Sequence, residues 1–302
     1  MHIKVGTRGS KLALAQTNYV IDRLRKAFPE NEYEVVIIKT TGDMDQNRPL
    51  DQIGSKGLFV DQIERALLAD EIQLAVHSMK DMPSEQPDGL VFAKAWARED
   101  ARDVLILKNG NKLSDLPIGA NVATGSKRRS YQLLALRPDI HIFPIRGNID
   151  TRIKKLQEGL PDGTKLDGII LAAAGLNRLS IESNNYYFFD IDEMIPSPAQ
   201  GTLAIELSAS NKKLLEMVNS LSDEEIEDIT FLERGFLSKI GGDCHLPIGA
   251  YASKTENGYN LKALFGDESG EKLASVSIDG NEASEELVYL AVKEIKKKLE
   301  NL

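Results

Sequence analysis

Three stretches of the chain hold residues whose types could do chemistry. The first is GGDCHLPIG, residues 241–249, which contains Cys244, the only cysteine among 302 residues. A single thiol excludes an internal disulfide and an all-cysteine zinc site. Its neighbours are those of a loop, so it is either an inert small hydrophobe or a reactive thiol. A nucleophile–base pair with His245 is not expected, because adjacent residues on a strand point to opposite faces. The second stretch is AVHSMKDMP, residues 75–83. A strand-like run ends here and places His77, Ser78, Lys80 and Asp81 at its end, and Pro83 stops further pairing. In basic surroundings Asp81 would stay ionised and could stabilise a cation; its plainer use is as a turn-forming aspartate. His77 is expected to be a satisfied core histidine.

The third feature recurs. Thr7 and Arg8 follow one strand, with Ser10 placed to cap the next helix. Thr124, Ser126, Lys127, Arg128 and Arg129 stand in the same setting further on. Arg146 closes HIFPIR, and Arg152 lies a turn or so into the following helix. Ligands of open α/β sheets bind at the C-terminal ends of strands. Helix N-termini there favour anions, and arginine adds a planar fork that fits a carboxylate or phosphate. Any one of these arginines could be a solvated surface group. Their recurrence at several strand ends implies a polyanionic ligand. TRGSK does not have the spacing of a P-loop, and four histidines form no metal-ligand cluster.

The elements that must position these residues are legible as strand–helix alternation. HIKVGT, EVVIIKT, QLAVHSM and LVFAKAWA read as strands, with helices over KLALAQTNYVIDRLRKAF and LFVDQIERALLA. Residues 42–57 read as a long polar loop. The pattern restarts with DVLILK, ANVATG, the helix SKRRSYQLLALR, HIFPIRG, the helix NIDTRIKKLQEG and GIILAAAG. Two α/β domains with parallel sheets and a cleft between them are expected, and LAIELSA at 203–209 could return the chain to the first. The tail reads as helix, antiparallel strands and helix, a small α+β domain with Cys244 at the entrance to its first strand. The expected division is 1–98 with 199–219, then 99–198, then 220–302. No internal repeat is strong enough to interpret.

A formal charge of −9 disfavours nucleic acid as a partner. No apolar run has the length of a membrane span, and the N-terminus has no signal-like apolar stretch, so a cytoplasmic location and no membrane partner are expected.

TRGS, IGSKGLF, AVHSMKDMP, the KRR helix start, PIRGNIDTR, ILAAAGLNRL and GGDCHLPIG occur in the order found in the porphobilinogen deaminase family, and the chain resembles that family over nearly its whole length. The resemblance implies two periplasmic-binding-protein-like α/β lobes plus a small C-terminal α+β domain with an antiparallel sheet. It implies a monomeric hydroxymethylbilane synthase that joins four porphobilinogen molecules head to tail, releasing ammonia each time. It also implies a dipyrromethane cofactor attached to Cys244 through a thioether, which primes the chain. Asp81 matches the catalytic aspartate, which would stabilise the cation left when ammonia departs. Lys80, Ser126, Arg128, Arg129, Arg146, Thr124 and Ser10 match cofactor-binding positions. Arg8, Arg152, Arg178, Lys56, Phe59, Ser78 and Gln200 match substrate-binding positions, with Lys56 and Phe59 in or beside a lid.

Three departures stand out from the family pattern. Asp243 replaces the usual glycine before the cysteine and should disfavour the thiolate. Gln52 stands where a lysine is common. Pro198 and Ala199 replace Val-Gly ahead of Gln200 and Gly201, which could stiffen a hinge. A non-catalytic small-anion-binding protein remains a rival on fold grounds, since such lobes serve many functions, but it needs neither Asp81 nor the cysteine domain.

Overall fold

The computed structural model describes residues 1–40, 60–84, 86–241 and 246–301. Gln52, Lys56, Phe59, Asp243, Cys244 and His245, and the polar segment 42–57, lie outside the described residues.

Along the chain come β1 (His2–Thr7), α1 (Lys11–Ala27), β2 (Glu32–Ile37), α2 (Asp61–Leu68), β3 (Leu74–Ser78) and β4 (Leu90–Phe92). Then follow β5 (Asp103–Leu107), β6 (Asn121–Ala123), α3 (Lys127–Leu136), β7 (His141–Phe143), α4 (Ile149–Glu158), β8 (Gly168–Ala172), α5 (Ala173–Arg178) and β9 (Tyr186–Phe188). The last stretch adds β10 (Leu203–Ser208), α6 (Lys212–Asn219), α7 (Glu224–Ile240), β11 (Gly249–Thr255), β12 (Gly258–Gly266), β13 (Leu273–Gly280) and α8 (Glu285–Glu300). Two compact units result: Met1–Arg98 with Gly201–Thr230, and Glu99–Gln200 with Phe231–Leu302.

The first unit holds a five-stranded sheet in the order β2-β1-β3-β10-β4, and the second holds one in the order β7-β6-β8-β5-β9. In each, the first three strands run parallel and the last two run antiparallel to their neighbours. The sheets expected to be parallel are so over three strands and antiparallel at the other two pairings, so both are mixed. A helix between strands carries the chain back to the starting edge and gives parallel neighbours. Residues 93–102 before β5 and 189–202 before β10 contain no helix, and both strands enter in the opposite sense.

The sheets are covered on both faces. In the first unit Val5, Val20, Ile21, Leu24, Val76 and Ile205 form one core cluster, and Ile63, Leu67, Ile72 and Ala75 form a cluster with α2. In the second, Val104, Ile106, Ile169 and Leu171 face one cluster while Leu105, Leu107 and Ile170 face another. Burial on both faces is why these strands read as unbroken apolar runs. The three-stranded sheet β11-β12-β13 is antiparallel throughout, as the tail's sequence led one to expect. Alternate residues Tyr259, Leu261 and Ala263 of β12 are buried, and α8 contributes Leu287, Val288, Ala291, Val292 and Ile295 to its own buried face.

Candidate active site

Each unit carries a group of the expected site residues. In the first, β1 and β3 are paired in parallel, so their C-terminal ends lie side by side. Thr7 is fully buried at the end of β1. Arg8 follows it, half-buried, and Ser10 caps α1 by accepting a hydrogen bond from Ala13 N at 3.2 Å. At the end of β3, Ser78 Oγ accepts from Gln16 Nε2 of α1 at 2.9 Å. His77 is buried, with Nε2 3.0 Å from Glu206 Oε2, the satisfied core histidine that was expected. The chain then makes a single 3-10 turn, Met79–Asp81. Met79 is buried and its N–H donates to Thr202 O at 3.0 Å, so the turn is anchored on one side. Lys80 is left half-buried and Asp81 exposed at the tip. A short rigid turn on a buried strand end is a means of presenting a carboxylate at a fixed place.

In the second unit β6 lies between β7 and β8, parallel to both, so three strand ends share one edge. Thr124 follows β6 and its Oγ1 accepts from Ser126 N at 3.2 Å; Ser126 Oγ in turn caps α3 through Arg129 N at 3.4 Å. Arg146 follows β7 in a turn whose Gly147 has φ +109° and would bring a Cβ to 2.8 Å from Thr151 Cγ2, so glycine is required there. Side chains of α4 reach back to that turn: Lys155 Nζ donates to Arg146 O at 3.0 Å and Arg152 Nε to Gly147 O at 2.8 Å. Arg178 is the last residue of α5, the helix that follows β8 directly. No helix is expected there from the residues. A six-residue helix without a capping side chain leaves little local signal.

Arg128 and Arg129 are not surface groups. Both are buried, and both bond a residue that the motifs did not single out, Asp103. Arg128 Nη1 donates to Asp103 Oδ2 at 2.7 Å and to Ile195 O at 2.7 Å. Arg129 Nε donates to Asp103 Oδ1 at 2.9 Å and its Nη1 to Ile170 O at 3.2 Å. Gln200, fully buried, donates Nε2 to Ala101 O at 2.7 Å and to Asp103 Oδ1 at 3.0 Å. Burial alone would push the Asp103 carboxyl up. The charges of Arg128 and Arg129, with the hydrogen bonds from Arg128 and Gln200, outweigh it and hold Asp103 well below the usual carboxylate range. Burial draws Arg128 down, with Asp103 opposing, and arginine remains charged at any ordinary pH. The cluster thus carries one net positive charge. The signal for Asp103 was present: it is the one charged residue heading the apolar strand DVLIL.

Glu233 of α7 was also missed. It is fully buried, and its carboxylate accepts Ala199 N at 2.6 Å and Ala252 N at 2.7 Å. Among the described residues no group of acids, histidines or cysteine is arranged to hold a metal ion, and no helix is long and apolar enough to cross a membrane.

The family model "Porphobilinogen deaminase, dipyromethane cofactor binding domain" matches residues 3–216, and "Porphobilinogen deaminase, C-terminal domain" matches residues 229–297. The chain belongs to the porphobilinogen deaminase family. The porphobilinogen deaminase of Lachnospira eligens is 51% identical over 94% of this chain and 95% of its own. That of Clostridioides difficile is 48% identical over 100% of this chain and 99% of its own. Among solved structures, an arginine-specific periplasmic binding protein of Salmonella typhimurium is similar over 73% of this chain and 91% of its own, at 14% identity and a TM-score of 0.41. The activity that goes with the family is that of a transferase of tetrapyrrole biosynthesis. It deaminates and condenses four porphobilinogen molecules on a dipyrromethane primer and releases hydroxymethylbilane.

Proposed function

We propose that Cys244 carries the dipyrromethane through a thioether, and that the strand-end residues of both units hold its carboxylates and those of the growing chain. Every pyrrole bears an acetate and a propionate, so the ligand is densely anionic. The donor set fits it: Arg8, Ser10, Ser78 and Lys80 in the first unit, and Thr124, Ser126, Arg128, Arg129, Arg146, Arg152 and Arg178 in the second. The bound cofactor supplies an anchored pyrrole with a free α-carbon. Asp81 supplies the opposite of the arginines, a fixed negative charge where porphobilinogen becomes cationic on losing ammonia. It also gives a site to which a pyrrole N–H proton can move. Gln200 acts behind these groups, on Asp103. Lys56 and Phe59 are assigned to the substrate on the family match of their positions alone.

Residues 220–302 are proposed as a domain of their own, beside 1–98 with 199–219 and 99–198, and the separate antiparallel sheet supports that division. We further place the protein in the cytoplasm as a monomer with no nucleic-acid or membrane partner. The single observation that carries the reading is the match of residues 3–216 to the dipyromethane cofactor binding domain of this family. Intact mass tests it. The purified chain should exceed its polypeptide mass by two pyrrole units, and Cys244→Ser should not. A parent chain at its bare polypeptide mass, or a Cys244→Ser chain with the same added mass as the parent, would remove the attachment.

A further inference from the structure

The two units answer each other strand for strand, and they differ at one corner. Ser10 and Ser126 cap α1 and α3 in the same way. Counting from these caps, Leu12 and Ala13 occupy the places of Arg128 and Arg129, while a buried glutamine, Gln16 or Gln132, stands six residues on in both. Leu203 opens β10 opposite Ser78, the last residue of β3. Asp103 opens β5 opposite Ala172, the last residue of β8. The first unit therefore builds this corner from Leu12, Ala13 and Leu203, and the second builds it from Arg128, Arg129 and Asp103. The fold does not require the charges. Two buried guanidinium groups repel each other and each is costly to desolvate. Asp103 offsets both by taking one of them on each oxygen.

The geometry shows what this arrangement leaves over. Arg129 has Nε and Nη2 within 2.9 and 2.8 Å of Asp103 Oδ1 and gives Nη1 to Ile170 O. Arg128 is pinned by Nη1 alone, between Asp103 and Ile195 O. No described residue bonds its Nε or Nη2. That edge of a guanidinium is the one that receives a carboxylate through two parallel hydrogen bonds. We infer that Asp103 is a positioning residue: it holds Arg128 and Arg129 beside each other so that the Nε/Nη2 edge of Arg128 is presented, already desolvated and oriented, to a carboxylate of the cofactor. This rests on the proposed reading of the arginines as cofactor ligands. Gln200 shares the task by bonding Asp103 Oδ1 on its remaining side.

The test uses full chains of Asp103→Asn, Asp103→Glu, Arg128→Ala and Arg129→Ala, with thermal melting and intact mass, which reads the fraction of chains that carry the dipyrromethane. Asn removes the charge. Glu keeps the charge balance and displaces the carboxylate by one methylene, so a role of Asp103 in charge compensation alone survives it and a positioning role does not. The folded Asp103 variants should load at least about tenfold less cofactor, as should Arg128→Ala. Normal loading in a folded Asp103 variant, beside loss in Arg128→Ala, overturns the inference and leaves the arginine reading intact. Normal loading in both arginine variants overturns the arginine reading itself. A combined Asp103→Leu, Arg128→Leu, Arg129→Ala chain writes the first unit's residues into the second. It should melt cooperatively and load no cofactor. If it does not fold, or if neither single Asp103 variant folds, the cluster is a support of the fold and the inference falls.

Discussion

Ser10 and Ser126 do the same work in the two units: each ends the segment after a strand and closes the first turn of a helix, on Ala13 N and Arg129 N respectively. Loss of such a cap costs about 1 kcal/mol. Ser10→Ala and Ser126→Ala should each destabilise the protein by that order in chemical denaturation. Ser126→Ala should also lower cofactor loading, because the N–H it caps belongs to a residue of the Asp103 cluster. Equal stability of both variants and the parent would show that the caps are replaced by solvent at no cost.

Ala199 sits at φ +58°, in the left-handed region, and is almost fully buried. Its N–H is held by Glu233, which also takes Ala252 N. The family commonly has glycine here, and a side chain at this φ costs of order 1 kcal/mol that glycine does not incur. Ala199→Gly should raise stability by about that amount, less the greater chain entropy of glycine. A lower melting temperature in that variant would mean that the packing of the Ala199 methyl outweighs the strain.

The longer helices, the turn of AVHSMKD and the role of His77 were legible because they are local: a cap three residues from its donor, or a histidine within an apolar run. The partner of Arg128 and Arg129 was not. Asp103 lies 25 residues upstream of Arg128, on a strand where Arg128 is on a helix, and the meeting depends on β5 lying beside β8. The sense of β5 and β10 was hidden for a like reason, since the absence of a helix before a strand does not say which gap in the sheet receives it. The correspondence of TRGSK with TGSK is too short to stand out in the sequence. It becomes visible when the two sheet orders are laid against each other.

Glu64 of α2 is buried, with Oε1 lacking a hydrogen bond among the described residues. Burial, with Glu206 and Asp61, raises its carboxyl from 4.5 to about 6, and His77 opposes the rise. The folded state then binds this proton more tightly than the unfolded chain. Glu64 therefore lowers stability as pH rises from about 4.5 through about 6, and its full cost, of order 2 kcal/mol, is present above that. Glu64→Gln should be more stable than the parent at pH 7.5 and indistinguishable from it near pH 4.5. Denaturation at both pH values checks this, and an unchanged difference between them would mean that folding does not shift the Glu64 carboxyl.

Asp81 is a lone acid in a set of residues suited to holding acids. If the site only bound anions, removing Asp81 would strengthen binding, since like charges repel. If the site must pass through a cationic pyrrole, its removal slows the chemistry. Asp81→Asn keeps the size and the hydrogen-bonding capacity and deletes the charge. The 3-10 turn rests on Met79, whose burial and bond to Thr202 O the change does not touch, so the variant should fold. Single-turnover ammonia release from cofactor-loaded Asp81→Asn should fall by roughly 10²–10⁴-fold with porphobilinogen affinity unchanged or improved. Asp81→Glu should keep part of the rate, with a loss of about 10²-fold for a charge displaced by one methylene. Near-normal release from the Asn variant would return Asp81 to the status of a turn residue and require another group to stabilise the cation.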